Sequence, residues 1–118
     1  MKTYKELIVW QKSYELIILI YKTSEKFPRE EIFGLTSQLR RAGVSVSANI
    51  AEGFNRQTKK EYLQFLYISR GSLQEVDFLL LLAKDLEYIP SNIYGEFKEL
   101  IELIGKLLSG LIRSIKNK

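Results

Sequence analysis

RRAGVSVSANIAEG, residues 40–53, opens on two arginines, continues in small side chains and closes on a glycine. Leu39, Ala42, Val46 and Ile50 recur at helical spacing and mark one apolar stripe. Arg41, Ser45, Asn49 and Glu52 lie about one turn apart, so a polar stripe runs along the same helix. Gly43, Ser45, Ser47, Ala48 and Ala51 leave little bulk on the flanks, and other helices can approach closely on more than one side. Gly53 suits the left-handed conformation that follows many helix ends. The stretch reads as the central helix of a bundle. Its polar stripe reads as a satisfied buried network or a wetted face of that helix, or else as a recognition surface led by Arg40 and Arg41.

Working outward, helical periodicity recurs in every segment. A first helix is expected over residues 6–25, with Leu7, Trp10, Tyr14, Ile17 and Tyr21 on its inner face. Pro28 ends it, because proline disfavours helical geometry in the residue before it. Residues 29–34 form a short turn into the second helix at about Thr36. After Gly53, Thr58 and Glu61 make a capping box for a third helix over residues 59–86. Gly71 sits in the middle of that helix, where glycine costs about 1 kcal/mol relative to alanine; a close crossing with the small-residue face of the second helix is the expected return, with a kink as the alternative. Pro90 marks the next break, with Ser91 or Asn92 as the N-cap. The fourth helix carries Ile93, Phe97, Leu100, Ile104, Leu107, Leu111 and Ile115 on one stripe and Ile101, Leu108 and Ile112 on a second, ahead of a frayed 116–118 tail. The expectation is an all-α, antiparallel up-down-up-down four-helix bundle, one domain over residues 1–118.

The chain has 118 residues, no cysteine, no histidine and a net charge of +4. That composition removes disulfides, Cys/His zinc sites, thiol nucleophiles and the commonest general base. No phosphate loop or nucleophile motif is present, and adjacent Glu30 and Glu31 make a poor acid/base pair. Glu52 with Arg41 or Arg56 reads as a buried ion pair that shapes the bundle, and Glu75 and Asp77 read as solvated. No enzymatic activity and no cofactor are expected. Nothing at the N-terminus reads as a signal peptide and no apolar run is long enough to span a bilayer, so a cytoplasmic protein without membrane contact is expected.

Two features ask for a partner. Residues 16–20 and 78–83 are continuously apolar and cannot all face one core, which points to self-association into a closed ring. Basic residues cluster: Arg40 and Arg41 open the second helix, Arg56, Lys59 and Lys60 surround the start of the third, and Arg70 lies along it. In an antiparallel pair the first two groups sit at opposite ends. Lys106, Arg113, Lys116 and Lys118 form a further cluster. Repeated around a ring, such weak phosphate contacts sum. Exposed tyrosines such as Tyr62, Tyr67 or Tyr94 are candidate stacking platforms, although core packing accounts for each better.

These residues, taken in order, resemble a known family. Leu7-x-x-Trp10–Gln11–Lys12, Ile20–Tyr21, Phe27–Pro28, Glu31-x-Phe33–Gly34–Leu35, Gln38–Leu39–Arg40–Arg41–Ala42, Ser45-x-x-Ala48–Asn49–Ile50–Ala51–Glu52–Gly53 and Gly71–Ser72–Leu73 follow the pattern of the bacterial four-helix-bundle proteins encoded within intervening sequences of 23S ribosomal RNA genes. That family is related to the accessory variability protein of diversity-generating retroelements. The likeness spans residues 4–115, with Ser13 and Ser47 as small departures. It implies a ring-forming bundle, typically a homopentamer, without known enzymatic activity. The retroelement relatives bind nucleic acid and a reverse transcriptase through a basic surface. The expected function is binding of nucleic acid (RNA or DNA), foremost structured RNA or an RNA–reverse-transcriptase assembly, by a homo-oligomer. It would act through Arg40 and Arg41, which match the family motif, and through Arg56, Lys59, Lys60 and Arg70, which are inferred from charge alone. Ser45, Asn49 and Glu52 form a structural polar stripe, and a protein-interaction scaffold is the alternative.

Overall fold

The computed structural model describes residues 1–118. Four α-helices make up the fold, with no strand: α1 (Ile8–Ser24), α2 (Leu35–Phe54), α3 (Lys59–Asp85) and α4 (Ser91–Lys116). Short 3-10 turns at Tyr4–Glu6 and Arg29–Glu31 precede α1 and α2. The molecule measures 46 × 25 × 20 Å, its length set by α3 at roughly 1.5 Å per residue. No helix is long and apolar enough to cross a membrane.

Local chemistry explains most boundaries. Thr58 caps α3, its hydroxyl accepting from the Glu61 amide at 3.2 Å, which is the first half of the expected capping box. The α3–α4 turn is closed by two amides donating backwards, Glu87 to the Lys84 carbonyl and Tyr88 to the Ala83 carbonyl. Glu87 between them sits at φ 65°, a left-handed position normally given to glycine. Pro90, rather than Ser91 or Asn92, occupies the N-cap of α4, and no side chain caps that helix. The fourth helix continues through Lys116, further than its expected frayed tail.

Twenty-three buried hydrophobic residues form one contiguous core. The α2 stripe enters it as expected: Leu39, Ala42, Val46 and Ile50 are all buried. On α1 the expected face is the wrong one. Val9, Ser13, Leu16, Ile20 and Ser24 point inward, while Tyr14 and Tyr21 are 49% and 41% exposed. Small serines suit this close contact, and the buried Ser13 hydroxyl is satisfied by donating to the Trp10 carbonyl at 2.7 Å. The aromatics instead pack along the outside, with Trp10 stacked on Tyr14 at 5.1 Å. On α4 the core line runs between the two expected stripes, through Phe97, Ile101, Ile104, Leu108, Ile112 and Ile115. Leu100, Leu107 and Leu111 flank it, partly buried.

The glycines are also redistributed. Gly53 does not turn the chain: it is helical and buried, and no glycine has positive φ. A Cβ there would lie 2.9 Å from Phe65 Cβ, so its absence lets α2 and α3 approach. Gly43 does the same against α1, where a Cβ would lie 2.7 Å from Ile20 Cδ1. Gly71, expected at a close crossing, is exposed with nothing within 4 Å of its missing Cβ.

Candidate nucleic-acid interface

Arg40 and Arg41 have different fates. The Arg40 guanidinium lies 4.6 Å from the centre of the Tyr21 ring, donates from Nε to Ser24 Oγ at 2.8 Å, and reaches the Tyr21 carbonyl at 3.4 Å. It thus ties α2 to the C-terminal end of α1, where the helix dipole favours a cation. Arg41 is exposed and makes no hydrogen bond, ion pair or aromatic contact. It borders a groove between α2 and α3.

The polar stripe divides in the same way. Ser45 shares a hydrogen bond with Ser72 of α3 at 2.7 Å, and the Asn49 amide donates to the Ser45 carbonyl and hydroxyl at 2.8 and 3.0 Å. These two residues form a half-buried network. Glu52 does not join it; it accepts from Arg56 one turn on, at 3.1 Å on the exposed surface, so the expected shaping ion pair is a solvated one of small worth. Asp77, expected to be solvated, is half-buried and pairs with Lys98 at 3.5 Å.

The remaining cations converge. Lys59, at the first turn of α3, donates from Nζ to the Lys118 backbone oxygen at 2.7 Å. The start of α3 and the end of α4 therefore meet. Further along the same face, Arg70 and Lys116 approach the Tyr67 ring at 5.2 and 5.7 Å. Arg70, Lys106 and Arg113 line a groove of about 590 Å³ between α3 and α4, together with the carboxylates of Asp77 and Glu102. Arg56 lies over the Phe65 ring at 4.6 Å. Residues 52–70 and 102–118, which include this end of the bundle, hold eight of the 18 basic side chains but three of the 14 acidic ones. Reading α2 against α3 alone missed this union; pairing α3 with α4 end to end would have found it.

Catalytic or metal chemistry finds no comparable assembly. No group of three or more acidic side chains is placed to hold a metal ion. Glu31 is occupied, accepting from the Tyr88 hydroxyl at 2.9 Å and the Leu35 amide at 3.1 Å. The hydrogen bond from Tyr88 raises the pKa of that phenol, and burial raises that of Tyr62.

Residues 5–110 match the family model described as 23S rRNA-intervening sequence protein. Among solved structures, the chain is similar to a protein with unknown function from the S23 ribosomal protein family of Bacteroides thetaiotaomicron VPI-5482. The two are 28% identical with a TM-score of 0.83, over 90% of this chain and 96% of that one. No match is found among curated proteins.

Proposed function

This chain belongs to the 23S rRNA-intervening sequence protein family, and on that premise we propose that it is a non-enzymatic, homo-oligomeric protein that binds structured RNA in the cytoplasm by summed phosphate contacts. The proposed bundle is antiparallel. In support, Ile20 meets Gly43 and Ser24 meets Arg40; Val46 meets Ser69 and Gly53 meets Phe65; Asp77 meets Lys98 and Lys59 meets Lys118. In each helix pair, residue numbers rise on one helix as they fall on the other.

Self-association is supported by apolar surface left outside the core on two sides. Tyr14 and Ile18 are exposed on α1, and Ile68, Phe78, Leu81 and Leu82 on α3. Surfaces of this kind are usually interfaces, and two different faces suit a closed ring. The pentamer is taken from the family resemblance, as is a reverse transcriptase as a further partner.

The observation that carries the nucleic-acid reading is the basic end and face built from α3 and α4. Its cations are mostly exposed and outnumber nearby carboxylates, and a ring would repeat them in every subunit. Phosphate contacts of this type read charge and shape rather than base sequence. The expected outcome for the triple variant Lys60→Gln, Arg113→Gln, Lys116→Gln is weaker RNA binding and a log–log salt slope lower by about 2–3. A control at the other end, Lys22→Gln, Lys26→Gln, Arg29→Gln, keeps both. Equal loss in the two variants, or no loss in the first, overturns the assignment of the surface. A protein-interaction scaffold is then the better reading, with its partner on the outer face of α3.

A further inference from the structure

Phe33 is the most exposed large apolar side chain in the protein, at 96%, yet the turn that carries it is fixed. The Ile32 amide donates to the Arg29 carbonyl at 3.2 Å and the Gly34 amide to the Glu31 carbonyl at 2.9 Å. The Glu31 carboxylate then ties this turn forward to the Leu35 amide and across to the Tyr88 hydroxyl. The ring is thus held out from a braced backbone. Beside it runs a groove of about 410 Å³ between α2 and α3, bordered by Ser37, Gln38, Arg41, Ser45 and Ser72, with Glu75 at its edge. That volume falls within the range of about 300–1,000 Å³ usual for small-ligand sites.

We propose that this groove seats one unpaired nucleotide of a bound RNA, with the base stacked on Phe33 and its phosphate on Arg41. The inference rests on the nucleic-acid reading above but concerns a second site, remote from the basic end. An exposed aromatic ring is a sequence-tolerant platform for an unstacked base, because every base has a π face. Arg41 is a guanidinium with no partner in the fold, suited to a phosphate. Serine hydroxyls between the two can meet the ribose or a base edge. Glu75 repels the phosphate from its own side, which orients the nucleotide toward Arg41. An apolar protein segment fits less well, since it would cover Arg41 and the Ser37 hydroxyl without satisfying them.

The site would give an otherwise charge-driven protein a preference for RNA with a bulged base over a perfect duplex. The test uses two RNA hairpins that differ only by one bulged 2-aminopurine, followed by anisotropy and by 2-aminopurine emission. The bulged hairpin is expected to bind at least about fivefold more tightly, with quenched emission, a ratio set by the lower end of base–aromatic stacking. Phe33→Leu, which keeps an apolar side chain without a π face, removes the preference and the quenching; Phe33→Trp keeps both. Arg41→Gln weakens binding of the bulged hairpin and lowers its salt slope by about one.

Equal affinity for the two hairpins, or a bulge preference unchanged in Phe33→Leu, overturns this inference and leaves the RNA reading intact. Absence of salt-sensitive binding to either hairpin overturns the RNA reading and the inference with it. A smaller particle by light scattering for Phe33→Ser overturns it too, and assigns the ring to a contact between copies.

Discussion

Arg40 spans two helices, and the cost of removing it should appear as stability rather than binding. Its guanidinium serves Ser24, the Tyr21 carbonyl and the Tyr21 ring at once. Arg40→Ala is therefore expected to lower the free energy of unfolding by about 1–2 kcal/mol in urea denaturation, given a charged donor at a half-buried site. Arg41→Ala, with no partner to lose, stays within about 0.5 kcal/mol. Equal effects would refute the division of labour. Glu87 offers the opposite case. It holds the left-handed position of the α3–α4 turn with a side chain that this conformation strains. Glu87→Gly is expected to stabilise the protein by about 0.5–1 kcal/mol, read as a rise in thermal midpoint. Neither role was legible in the sequence. Adjacent arginines look alike until the position of the preceding helix is known, and Glu87 carries no glycine to mark its turn.

At the level of helices, periodicity was enough to place all four and to bury the α2 stripe as expected. It failed where composition competes with packing distance. On α1 the larger stripe through Trp10, Tyr14 and Tyr21 looks like a core face, but the helices approach too closely for aromatics and select Ser13 and Ser24. Glycines follow the same rule. Gly53→Ala is expected to destabilise, since its Cβ would meet Phe65 Cβ at 2.9 Å, an atom fixed to its backbone. A cost of about 1–3 kcal/mol is typical of such overpacking. Gly71→Ala meets no atom within 4 Å and should instead gain up to about 1 kcal/mol from helix propensity. Denaturant titrations of the two variants should diverge in sign. If Gly71→Ala also destabilises, its outer face is covered, as it would be between subunits.

Across the whole molecule, charge is distributed unevenly in a way that net charge conceals. A sum of +4 is unremarkable, and each basic cluster read alone looks like solvated surface. Only the docking of the start of α3 against the end of α4, with Lys59 on the Lys118 backbone, brings Arg70, Arg113 and Lys116 together. The basic residues of α3 stand out in the sequence, while their grouping with those of α4 required the fold. In the proposed ring, exposed apolar side chains on α1 and α3 would be covered and that surface repeated in each subunit. The most direct measurement is binding of a structured RNA between about 50 and about 200 mM salt, the range over which phosphate contacts lose most affinity, with light scattering on the same sample. The expected result is an oligomer whose affinity falls steeply with salt, with a log–log slope of magnitude about 4 or more. An intact oligomer that binds no RNA at the lowest salt, or whose affinity does not change with salt, would contradict it.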